Sequence, residues 1–219
     1  LLGAIFDFVR TNYWLRNNIP MSERPWGGTL NPDTGMNTRT DIIEAQFREI
    51  FRCMLSATDT TATSLLKMVN VLSSEVEPIQ ITVTYVVGNH DRVLNNFPNL
   101  KEDVAKQFNK SVNFRFANHV KAPEYGLLAR HGHEWDDDCY PKDFWEKVLH
   151  PEVPITRFDP RLDNVMSIGE VITAEIMSGL IHYCKEEFAV AGLVSPADIA
   201  VLTSLKDANN VRPWSASLL

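Results

Sequence analysis

Two short runs hold most of the residue types that could do hydrolytic chemistry, Gly88-Asn89-His90-Asp91-Arg92 and Arg130-His131-Gly132-His133-Glu134-Trp135-Asp136. A carboxamide oxygen, imidazole nitrogens and carboxylates are the donors of a site that holds two divalent ions. One such ion makes hydroxide, and both steady the oxygens of a phosphoryl group. Mn²⁺, Fe²⁺ or Zn²⁺ would suit these donors. In the first run Gly88 lets the backbone turn sharply and Asn89 offers a neutral ligand. His90 is placed to donate a proton to a leaving oxygen or to stabilise phosphoryl charge, with Asp91 orienting its ring. Arg92 could clamp a substrate phosphate through its planar fork. The plainer alternative is a polar turn that only satisfies backbone groups.

Each run is expected at a strand end, where α/β folds build their sites. Residues 79–87 alternate and then become continuously apolar with β-branched side chains, which predicts a largely buried strand leading into Gly88. Further strands are expected over 112–116 and 125–129, with helices over 41–54, 60–72, 100–108 and 168–188, and a capped helix start at Ser195. Helices and strands alternate, as in a layered α/β domain. The stretch 18–40 is dense in Gly and Pro and reads as an irregular excursion. No repeat or linker divides the chain, so residues 1–219 are expected to form one domain.

Gly-Asn-His-Asp after an apolar strand resembles the third motif of the calcineurin-like metallophosphoesterases. The resemblance implies a four-layer α/β/β/α fold, with Asn89 as a metal ligand and His90 as a catalytic residue. His131 stands where that family places a single metal-ligating histidine, and the sequence around it is locally similar to bacterial UDP-2,3-diacylglucosamine hydrolases. His133 faces the substrate or a second metal on this reading, or else hydrogen-bonds to Asp136 or Asp137; Asp136 and Asp7 are read as residues behind the ligands. The family's G-D-x-x-D motif is matched by Gly3-Ala4-Ile5-Phe6-Asp7 except at the metal-bridging carboxylate, where Ala4 stands. An alanine cannot ligate, so slow hydrolysis or none is implied. The opening D-x-H and closing G-H-x-H of the family find no match, and the start at Leu1 without an initiator Met reads as an excerpt. Residues 9–78, long for the link between the second and third motifs, are expected to form a cap or insertion.

Composition narrows the partners. A net charge of −7 disfavours a broad grip on nucleic acid or an anionic membrane, so a small phosphoester substrate is favoured over a nuclease role. The three cysteines, Cys53, Cys139 and Cys184, lie far apart and suggest neither a zinc ribbon nor a disulfide framework, consistent with a reduced, cytoplasmic setting. No apolar run is expected to reach the roughly 18–20 residues of a bilayer span. Nothing in the sequence sets an oligomeric state.

Overall fold

The computed structural model describes residues 5–57, 61–74 and 80–204. Ala4 and the expected strand end before it lie outside these residues. The fold is mixed α/β with small sheets. Its helices begin with α1 (Tyr13–Arg16), α2 (Thr40–Ser56) and α3 (Thr61–Leu72), after which β1 (Thr82–Val86) leads into the Gly88 turn. Helices α4 (Val93–Asn96) and α5 (Pro98–Ala105) carry the chain across to β2 (Asn113–Ala117). That crossover lets β1 and β2 pair in parallel, with Tyr85 beside Phe116.

A hairpin follows, β3 (His119–Ala122) paired antiparallel with β4 (Leu127–Arg130), so that His119 faces Arg130. Gly126 closes it at φ +61°, a conformation that costs a glycine little. β3 was not expected from the sequence: four residues give too few positions for a period of two to be visible. Near the end of the described chain lies α6 (Pro196–Ser204), where the Ser195 hydroxyl accepts from the Asp198 N–H at 3.2 Å.

The main core explains why α2 folds as a helix. Ile43, Phe47, Ile50 and Phe51 recur on one face and are all buried. They meet Phe6 and Phe8 from the N-terminal segment, Trp14 from α1, and Tyr85 and Val87 around β1. Phe8 packs edge-on to Phe47 and Phe6 edge-on to Phe51. Much of 9–57 is therefore built into the core rather than laid over it.

Residues 168–188 form one continuous helical run in which α-helical turns (Ile168–Val171, Ser178–Tyr183) alternate with wider π-helical ones (Ile172–Met177, Cys184–Phe188). Ser167 opens it with a capping box shared with Glu170. Among the described residues one segment, Pro160–Phe188, passes a membrane span's requirements by length and composition alone; with a mean hydropathy of 1.2 over its most apolar window and 39% of that window buried, it is no clear transmembrane segment. Two buried-side ion pairs tie this run to the rest of the protein. Glu170 pairs with Arg92 at 2.8 Å, and Glu175 accepts from Arg24 at 2.6 Å and from the Trp26 indole at 2.7 Å. Carboxylates so placed on an apolar helix need such counter-charges, since a buried charge without its partner is costly.

Candidate active site

The turn after β1 is held by its own last carboxylate. Asp91 is fully buried; its Oδ1 accepts the Gly88 N–H at 2.5 Å and its Oδ2 accepts the Tyr85 hydroxyl. Burial, reinforced by the Asp91 charge, pushes the Tyr85 phenol far above its usual range, so it stays a donor. Asp91 thus fixes the backbone of the turn instead of orienting His90, which corrects the sequence expectation. A carboxylate three residues after a glycine reaches back to that glycine's N–H as readily as a helix cap does.

The group behind His90 is Asp7. Its Oδ2 stands 3.0 Å from His90 Nδ1, across 83 residues of chain, and the Phe8 N–H donates to the His90 carbonyl at 3.2 Å. Asp7 Oδ1 accepts the backbone N–H groups of Val9 at 3.2 Å and Arg10 at 3.0 Å. Although burial pushes the Asp7 carboxyl up, the hydrogen bond and charge of His90, helped by Arg10, hold it below the usual carboxylate value. An ionised Asp7 accepts from Nδ1–H, leaving Nε2 as the nitrogen available for chemistry.

The second run meets the first. A Cβ built on Gly88 would stand 2.5 Å from His131 Cδ2 and 2.6 Å from Nε2, so the imidazole occupies the space a side chain would need. This close approach, not a positive φ, is what requires glycine. Gly88→Ala is expected to displace the ring and cost about 1–3 kcal/mol in overpacking. Thermal unfolding should register the loss, and an unchanged midpoint together with unchanged Mn²⁺ binding would argue against the packing of His131 on Gly88.

His131 Nδ1 and His133 Nδ1 lie 3.2 Å apart. Burial holds both imidazoles below the usual histidine value, His133 down to about 4. Neutral imidazoles are the form that binds metal, and two nitrogens each about 2.0–2.1 Å from one tetrahedral ion would sit roughly 3.4 Å apart. The spacing of the pair is that of two ligands on one divalent ion, and Asn89, which follows Gly88 in the chain, is buried. Among the described residues no group of three or more His, Cys, Asp or Glu side chains is gathered as a metal cluster, and position 4, where the resemblance puts the bridging carboxylate, lies outside those residues.

Four residues take places the sequence did not indicate. Arg92, expected at the substrate, is buried and engaged throughout: Nε and Nη2 donate to the two oxygens of Glu170 at 2.9 and 2.8 Å, and Nη1 donates to Asn96 Oδ1 at 2.6 Å and the Asn164 carbonyl at 2.9 Å. A fork so occupied has no face left for a phosphate. Asp136 is not behind His133 either; its Oδ1 accepts the N–H groups of Asp138 at 3.0 Å and Cys139 at 3.3 Å and caps that turn. Asp137 instead pairs with Arg157 at 2.9 Å. The carboxylate beside the two histidines is Glu134, 2% exposed, which accepts from Arg130 and from the Gly132 N–H, each at 3.0 Å. Its sequence signal was the basic residue four positions earlier.

No family model, no curated protein and no solved structure matches the chain.

Proposed function

We propose that this chain is a metal-dependent phosphoester hydrolase of the calcineurin-like metallophosphoesterase type, with a four-layer α/β/β/α sandwich, weakened in this form by Ala4. The observation that carries the reading is the Asp7–His90 pair. It brings the end of the Gly3–Asp7 segment against the Gly88–Asp91 turn, as the resemblance requires of residues so far apart. His131 packed on Gly88 adds the third part of the same site.

In this reading Asn89, His131 and His133 hold metal. A divalent ion bound there supplies a water of lowered pKa and neutralises charge on the phosphoryl oxygens. His90, steadied through Nδ1 by Asp7, keeps a proton at Nε2 for the leaving oxygen. Asp91 and Tyr85 hold the turn that presents it. A phosphomonoester or phosphodiester of a small molecule is the favoured substrate, and the net charge of −7 speaks against a nucleic-acid groove.

A second reading has its own support in Ala4, which cannot ligate metal: a protein that kept the scaffold for binding or regulation. Metal content and activity separate the two. The chain as it stands is expected to take up about one Mn²⁺ and cleave bis(p-nitrophenyl) phosphate slowly, whereas Ala4→Asp should bind about two and cleave much faster. If Ala4→Asp gains neither metal nor turnover, the hydrolase reading is abandoned and the binding protein stands.

A further inference from the structure

Resting on the phosphoesterase reading, we infer that Arg10 is the guanidinium that grips the phosphoryl group of the substrate beside the Asp7–His90 pair. Arg10 has the position that Arg92 lacks. Asp7 Oδ2, which meets His90 Nδ1 at 3.0 Å, also lies 3.4 Å from Arg10 Nε. One carboxylate oxygen therefore gathers the imidazole and the guanidinium to itself. Its other oxygen accepts the Arg10 backbone N–H at 3.0 Å, which anchors the chain from which the side chain leaves.

Arg10 also has the freedom that Arg92 lacks. Its side chain is 39% exposed, against 5% for Arg92. Its Nε is the atom nearest Asp7, and among the described residues no hydrogen bond occupies its Nη donors. Those nitrogens form the part of the fork that matches two oxygens of a phosphoryl group. The side chain is placed to receive one. An open cavity of about 1470 Å³ is lined by Asp7, Arg10 and Tyr13 on one side and by Ile42, Ile50 and Met54 of α2 on the other. A substrate entering it reaches Arg10 and the Asp7 end of the dyad together, with α2 left to contact the organic group of the ester.

The test uses the full chain with Mn²⁺, titrated calorimetrically with inorganic phosphate and assayed with p-nitrophenyl phosphate. Arg10→Gln is expected to weaken phosphate binding about tenfold or more and to raise KM by a similar factor, since charge-assisted contacts are lost. Arg10→Lys, which keeps the charge but not the fork, should fall between the two. Thermal midpoints should stay within about 2 °C of the parent, because so exposed a pair adds little stability. Arg39→Gln, at a surface pair with Glu23 away from this cavity, should change nothing. Phosphate bound by Arg10→Gln as tightly as by the parent, with cleavage persisting, overturns the role of Arg10 and leaves the hydrolase reading intact. If neither the parent nor Ala4→Asp binds phosphate or cleaves the ester, both fall together.

Discussion

Replacing His90 with alanine is expected to lower kcat for phosphoester cleavage about 10²- to 10⁴-fold, the range for removing a positioned general acid. The measurement belongs in the Ala4→Asp chain, where the starting rate leaves room for the loss to be seen. Metal content should be unaffected, since His90 is not among the groups proposed to hold metal and its Nδ1 is engaged by Asp7 at 3.0 Å. Asp7→Asn should cost less, because an amide oxygen can still accept from Nδ1–H while the charge that stabilises an imidazolium is gone. In the double variant the two losses should not add, for Asp7 acts on the reaction through His90. Additive losses would mean that Asp7 has a separate role, and a His90→Ala chain that retained full activity would remove the dyad from the chemistry.

What could be read in advance of the structure followed from local physics. A β-branched apolar run ending in glycine predicts a strand that turns into a polar loop, and β1 does so at Gly88. Apolar residues on one helical face predicted α2 and α3 to within a few residues, and the long run from Ile168 was legible in the same way. Its alternation of α and π turns was not, because the same apolar positions serve either winding. Pairings were hidden where they depend on which distant groups the fold brings together. Asp91 is adjacent to His90 and Asp7 is 83 residues away, so adjacency pointed to the wrong carboxylate. Arg92 was misread for a related reason: an arginine beside a catalytic turn looks available until its partner is known. The partner's signal, visible only afterwards, is that Glu170 and Glu175 interrupt an otherwise apolar helix, and charges in such a place need buried mates.

That pairing gives the largest stability effect to be expected in the molecule. Arg92 and Glu170 are each only 5% exposed at the side chain, and their fork-to-fork contact joins the turn after β1 to the start of the long helical run. Arg92→Ala leaves Glu170 a buried carboxylate without its counter-charge, and Glu170→Ala does the same to Arg92. Either change should cost about 3–5 kcal/mol. With a urea dependence of roughly 2 kcal/mol per molar, the unfolding midpoint should fall by about 1.5–2.5 M, readable by circular dichroism. Glu170→Ala carries an added loss, because Glu170 Oε1 also accepts the Ser167 N–H at 3.0 Å and closes the helix cap. Replacing both partners by methionine removes the two charges together and should recover most of what either alanine loses, since a desolvated ion pair gains little over well-packed apolar groups. A single substitution costing under about 1 kcal/mol would place Arg92 in solvent rather than in this pair. Recovery in the double variant separates a charge effect from a packing one. It also has a functional consequence: Arg92 follows directly on the turn that presents His90, so stability restored without Arg92 should bring activity back with it if this guanidinium serves the fold and not the substrate.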